Sequence, residues 1–140
     1  RNDYELRVID LLRSKSINLV CLAGFMRILG KNFIEAFPGK IINIHPSLLP
    51  AFPGLNVQKR ALEHGAKFSG CTVHIVNEEV DGGPIILQSV VPINDEDDTQ
   101  SLSERILEQE HIIYPEAIKL IIENKVEFSG RRVLRKKKGN

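Results

Sequence analysis

Ile41-Ile42-Asn43-Ile44-His45-Pro46-Ser47-Leu48-Leu49-Pro50 is an apolar run that delivers one asparagine and one histidine and then stops at two prolines. On an extended strand residues two apart share a face, so Asn43 and His45 project together while Ile42 and Ile44 point the other way. The isoleucines mark a buried strand, where that polar pair has no structural use. An amide that cannot titrate and an imidazole that can give a proton near neutral pH together suit a negative oxygen developing on a carbonyl. The same residues also fit a strand end whose polar groups bond the following loop.

Working outward, apolar strands alternate with helical segments, which predicts an α/β chain with a mostly parallel, Rossmann-like sheet flanked by helices. Upstream, Asp3 to Lys15 carries Leu6, Ile9 and Leu12 at helical spacing, and Ile17 to Ala23 reads as a strand buried on both faces. A helix leading into such a strand crosses over from a parallel neighbour, so the first strand of this β-α-β unit is expected upstream of Arg1. Gly24 to Gly30, with Arg27 at its centre, then lies at the carboxyl end of the strand, where open parallel sheets bind ligands. Lys31 to Phe37 forms a short helix with Phe33, Ile34 and Phe37 inward.

Downstream of the central strand, Pro46, Pro50, Pro53 and Gly54 make an irregular, stiff loop, and Leu55 to His64 is a helix stopped by Gly65. Ser69 to Val76 alternates as a strand with Cys71, Val73 and Ile75 on one face. A turn over Asn77 to Gly83 leads into the apolar strand Pro84 to Ile93. Thr99 is a candidate N-cap for a long helix from Gln100 to Asn124, kinked at Pro115. Val126 to Phe128 adds an edge strand. Residues 1–128 read as one domain and residues 129–140 as a disordered basic tail.

With 140 residues and 42% hydrophobic content, the chain is one domain's worth with enough apolar surface for a core. No apolar run approaches the roughly 20 residues of a membrane helix. Cys21 and Cys71 each sit in an apolar run as free thiols would, which favours a reducing, cytoplasmic setting. The net charge of +1 hides an asymmetry: Arg131, Arg132, Arg135, Lys136, Lys137 and Lys138 hold six of the 19 basic residues, leaving the rest at −5. A basic tail can touch nucleic acid or an acidic surface, but terminal runs of like charge are more often solvated, and no nucleic-acid or membrane partner is expected.

Two further segments carry chemistry. Val80-Asp81-Gly82-Gly83-Pro84 is a turn by composition. Placed beside His45, the Asp81 carboxylate would orient the imidazole and favour its protonated form. Glu110-His111, followed by Tyr114-Pro115, lies on the long helix, where polar residues usually form the solvated face. His45, His64, His74 and His111 lack the compact spacing of zinc ligands, so no metal is expected.

Taken together, the Asn-x-His-x-Ser-x-x-Pro strand end, the Asp-Gly-Gly-Pro turn and the Glu-His-x-x-Tyr-Pro helix closely resemble the phosphoribosylglycinamide formyltransferase family of purine synthesis. Gly70 through Asp81 to Ile86 is similar to that family's signature segment, and Leu22 to Leu29 to its folate-side strand end. The resemblance runs from about Arg1 to Phe128. It implies formyl transfer from 10-formyltetrahydrofolate to the amine of glycinamide ribonucleotide. By this resemblance Asn43 holds the formyl oxygen, and protonated His45 stabilises the oxyanion and donates a proton. Asp81 raises the basicity of His45 and, through a water, helps move the proton off the amine. Met26, Arg27, Ile28 and Leu29, with Asn77, Glu78, Glu79, Val80 and Asp81, line the folate pocket, while Arg1 meets the folate's glutamate carboxylate and Glu110 binds the substrate's amino end.

The family's first strand and its Gly-Ser-Asn phosphate loop have no counterpart in residues 1–140, which match the carboxyl-terminal two-thirds of such an enzyme. The missing amino-terminal segment is therefore an expected partner. Related alternatives are formyltetrahydrofolate hydrolase and methionyl-tRNA formyltransferase. An inactive folate-binding module is the non-enzymatic one. Pro46, the Pro53-Gly54 loop and the Glu110 to Pro115 segment favour the purine enzyme.

Overall fold

The computed structural model describes residues 2–24 and 29–137. Along the chain come α1 (Asn2–Ser14), β1 (Val20–Ala23), α2 (Lys31–Ala36), β2 (Ile41–His45) and α3 (Val57–His64). β3 (Phe68–Ile75), β4 (Ile85–Pro92), α4 (Thr99–Ile122), β5 (Val126–Ser129) and β6 (Arg132–Arg135) follow. The strands join in one sheet of order β1-β2-β3-β4-β6-β5. β1 is parallel to β2, β3 is antiparallel to both its neighbours, β6 is parallel to β4, and β5 is antiparallel to β6. β1, β2, β4 and β6 thus run the same way, giving the mixed, mostly parallel open sheet that the sequence predicts. The connections explain the directions. α2 carries the chain back between β1 and β2, whereas β3 and β4 are joined by a short turn that permits only antiparallel pairing.

Each face of the sheet is covered by helices whose apolar residues recur every three or four positions. On one face Leu102, Ile106, Ile113, Ala117 and Ile121 of α4 pack against Ile42, Ile44, Cys71, Val73 and Ile75. On the other, Ile9 of α1 and Phe33 and Phe37 at α2 pack against Ile41, with Val20 and Leu22 beside them. Full burial of each such side chain contributes about 1.5–3 kcal/mol relative to exposure. Because β2 alternates, Ile42 and Ile44 serve the α4 core while Asn43 and His45 share the face of Ile41.

The start of α4 differs from expectation by one residue. Asp98, not Thr99, is the N-cap: its Oδ1 accepts from the Ser101 amide at 2.8 Å, and Ser101 Oγ accepts from the Asp98 amide at 3.1 Å. A carboxylate gains more than a hydroxyl at the positive end of the helix dipole. The helix continues through Pro115 to Ile122. Just upstream, Asp97 receives Arg105 in a bidentate pair at 2.6 and 2.7 Å. Those bonds, with the Asn94 amide and the Ser101 hydroxyl, hold its carboxyl well below the usual carboxylate range. With the folded pKa depressed, the unfolded chain binds the extra proton as pH falls. The pair's stabilisation is therefore present above about pH 4 and lost as pH drops through the lower folded value. Asp97→Asn should flatten that acid limb, read as the pH dependence of the urea midpoint between pH 2 and 5.

Two expectations are corrected. β1 is not buried on both faces: Val20 and Leu22 are half-buried, while Cys21 and Ala23 on the α4 side are exposed. As described, β1 ends the sheet with β2 as its one neighbour. A cavity of about 680 Å³ separates Ala23 from Leu107, Glu110 and Ile118 of α4. Tyr114 reaches across, its hydroxyl donating to the Leu22 carbonyl at 2.5 Å.

The basic tail is not disordered throughout. β5 and β6 pair as a hairpin about Gly130, whose φ of 59° suits a residue without a Cβ. Val133 interrupts the charge run and packs against the α4 core. Arg135 reaches Glu116 at 3.4 Å, and Arg131 donates to the Gly82 carbonyl. Lys138 lies outside the described residues. Among those described, no helix is long and apolar enough to cross a membrane.

Candidate active site

The carboxyl end of β2 opens into a pocket of about 440 Å³ whose walls include Asn43, His45, His74 and Asp81. Register assembles the first three. β2 and β3 pair so that Asn43 stands opposite His74, and His45 opposite Thr72. Asp81 arrives from the turn after β3 with a φ of 51°, a left-handed conformation that aspartate tolerates better than bulkier residues. Within that turn the Asn77 side chain accepts from the Glu79 amide at 2.9 Å.

His45 is buried between two oxygens. Its Nε2 donates to the Phe52 carbonyl at 2.8 Å, and its Nδ1 faces Asp81 Oδ2 at 3.6 Å. The Nε2 hydrogen bond fixes the ring, and the Asp81 carboxylate faces Nδ1 from just beyond hydrogen-bond range. Asp81 is itself held, since its Oδ2 accepts from the Gly54 amide at 2.8 Å, and its Oδ1 lies 3.8 Å from His74 Nε2. Asn43 Nδ2 lies 3.5 Å from His74 Nε2.

The loop after β2 is tied down by buried hydrogen bonds, which fixes the Phe52 carbonyl over His45. Ser47 Oγ donates to the Ala51 carbonyl at 2.6 Å and lies 3.0 Å from that of Phe52. Thr72, fully buried, donates to the Ser47 carbonyl at 2.7 Å and accepts from the Leu49 amide at 3.1 Å and from Gln88 at 3.0 Å. Sequence reading singles out the prolines of this loop but not Thr72, whose partners lie 16 to 25 residues away.

The residues expected to line a folate pocket are largely brought together. Leu29, Asn77, Glu78, Glu79, Val80 and Asp81 share the pocket with Asn43 and His45. Arg1, Met26, Arg27 and Ile28 lie outside the described residues. Glu110 is set apart from this group. It lines the neighbouring apolar cavity between α4 and β1, with Ile44 forming part of both walls. Burial raises the pKa of its carboxyl, countered in part by His111. Glu110 therefore sits on the α4 side of the sheet, across β2 from His45.

His74 is the residue that sequence reading missed, having weighed it only as a metal ligand. The available signal was alternation along β3, which places Thr72 and His74 on the face opposite Cys71, Val73 and Ile75. Among the described residues no group of three or more His, Cys, Asp or Glu side chains is placed to hold a metal.

The family model described as formyl transferase matches residues 1–118. The chain is 51% identical over 119 residues to the phosphoribosylglycinamide formyltransferase of Haemophilus influenzae, covering 85% of this chain and 56% of that protein. It is 47% identical over 128 residues to the human trifunctional purine biosynthetic protein adenosine-3, covering 91% of this chain and 13% of that one. A crystal structure of glycinamide ribonucleotide transformylase 1 from Symbiobacterium toebii superposes with a TM-score of 0.95 at 50% identity, over 98% of this chain and 65% of that one. The chain thus spans less than two thirds of the length of each of these relatives. With the match over residues 1–118, the β2 strand end and the Asp81 turn inside it, this chain belongs to the formyl transferase family.

Proposed function

We propose that the protein transfers the formyl group of 10-formyltetrahydrofolate to the amine of glycinamide ribonucleotide, a step of purine synthesis. The observation that carries the reading is the convergence of Asn43, His45 and Asp81 on one pocket at the carboxyl end of β2. The names of the relatives support the choice of acceptor. The amine nitrogen attacks the formyl carbon, a C–N bond forms, and the carbonyl pair moves onto oxygen. Asn43 donates to that oxygen. His45 Nε2 exchanges the neutral Phe52 carbonyl for the anion, because a charge-assisted hydrogen bond is the stronger of the two. Asp81 keeps the ring oriented and, through a water, accepts the proton that the amine sheds. The oxygen pair then re-forms the carbonyl, the C–N10 bond breaks, and N10 takes its proton from His45 as tetrahydrofolate leaves, Asp81 returning to His45 the proton shed by the amine.

Leu29 and the Asn77 to Asp81 turn form the folate side of the pocket. Glu110 receives the ribonucleotide from the α4 side, where its cavity adjoins the pocket at Ile44. The two cysteines, both free thiols, fit a reducing cytoplasmic setting.

The test is formyl release measured with and without the amine. Loss of formyl from 10-formyltetrahydrofolate should require glycinamide ribonucleotide and yield its formyl adduct. Rapid release of formate without any amine would establish a hydrolase instead. Glu110→Gln should raise KM for the ribonucleotide about tenfold while changing that for the folate little, as expected for a contact made to one substrate only.

A further inference from the structure

His74 borders the pocket yet has no part in the steps just described. It is 2% exposed and stands directly opposite Asn43. Its Nδ1 lies 3.1 Å from the Ile75 carbonyl, a group that only accepts, so Nδ1 carries the hydrogen. In a neutral ring Nε2 is then bare, and it meets Asn43 Nδ2 at 3.5 Å. Burial is the main influence on the ring and lowers its pKa, with the Ile75 carbonyl and Asp81 pulling the other way and His45 adding to the lowering. The Asp81 carboxylate faces Nε2 from 3.8 Å, beyond hydrogen-bond range. Turning the Asn43 amide over would set its oxygen against the bare Nε2, acceptor against acceptor. An imidazolium alone would relieve that clash, and burial opposes the charge.

The orientation has a consequence on the other side of the amide. Asn43 Oδ1 is buried and has no hydrogen-bond partner among the described residues. Buried amide oxygens are ordinarily paired, so an orphan at a pocket wall is an acceptor waiting for a donor. We propose that His74 is a positioning residue that locks the Asn43 amide, aiming Oδ1 at an N–H of the attacking amine and leaving the second Nδ2 hydrogen for the formyl oxygen. Asn43 then grips nucleophile and electrophile together and turns the nitrogen lone pair toward the carbonyl carbon. The role in catalysis rests on the formyl-transfer reading. The orientation of the amide does not.

Two measurements test this on the protein as its source makes it. In a long-range 1H–15N spectrum of histidine-labelled protein at pH 7, assigned by loss of the signal in His74→Gln, His74 should be neutral with its hydrogen on Nδ1. An imidazolium, or a ring with hydrogen on Nε2, overturns the proposal whatever the activity. In steady-state kinetics, His74→Leu should lower kcat about 10²-fold with little change in KM for the folate. His74→Gln, whose carbonyl can take over as acceptor for Asn43 Nδ2, should recover most of that loss. Equal losses in the two variants overturn the positioning role. If the expected tautomer is found in a protein that transfers no formyl group, the amide orientation stands and the reaction assigned above falls.

Discussion

Asp81→Asn should lower kcat by about 10²–10⁴-fold, the range that a positioned acid–base group supplies, while the fold survives. Asparagine is the substitution to use because it keeps an oxygen for the Gly54 amide, 2.8 Å away, and so preserves the turn's tie to the loop after β2. What it removes is the negative charge 3.6 Å from His45 Nδ1. His45→Ala should be as severe, since it deletes the donor to the oxyanion. Combining the two should cost little more than either alone, because groups that act as a unit are not additive. His64 provides the control. It stacks edge-on against Phe52 at 5.9 Å and touches neither Asp81 nor Asn43, so His64→Ala should change turnover only about twofold, like an ordinary surface substitution. Kinetics of the four variants beside their thermal midpoints check this. Normal turnover in Asp81→Asn, or a larger loss in His64→Ala than in His45→Ala, would remove the pair from the mechanism.

What could be read from the sequence follows the range of the interactions involved. Strand period is local, so Ile41 to His45 disclosed both which residues serve the core and which pair faces a site. The same holds for the glycine stop of α3, where Gly65 takes a φ of 78°. Register is not local. His74 lies 31 residues from Asn43, and only the antiparallel pairing of β2 with β3 shows that they meet. Glu110 shows the limit from the other direction. Its helix face is legible, but its separation from His45 depends on which side of the sheet α4 covers. In the tail the run of charge masks the two residues that matter, since Gly130 and Val133 within it are enough to turn and anchor a hairpin. Cys21 shows the same limit: an apolar strand marks a surface suited to burial, and which element covers that surface is set by packing beyond the strand.

Gly83→Ala should destabilise the protein by about 1–3 kcal/mol or more and take the site with it, whereas Gly82→Ala should cost about 1 kcal/mol or less. By composition the two glycines are equivalent turn residues. Their surroundings are not. A Cβ on Gly83 would clash with the Ile75 carbonyl oxygen and lie 2.8 Å from its carbon, backbone atoms with no room to yield. That contact sits where the Ile75 amide bonds the Pro84 carbonyl at 2.8 Å, beside the shift in register at Val73 and His74. A Cβ on Gly82 would meet the Glu79 side chain alone: its carboxylate, 69% exposed, can swing aside, and only its Cβ, 2.7 Å away, asks the turn to give by a few tenths of an ångström. The Ile75 carbonyl also takes the His74 Nδ1 hydrogen. Pushing that carbonyl away therefore loosens the anchor of His74, and through it Asn43, while moving the turn that carries Asp81. Urea midpoints at constant m-value report the stability difference, and turnover of the still-folded fraction reports the site. Equal stability losses in the two variants would mean that the turn relaxes around either methyl, and that close backbone approach is not why glycine stands at position 83.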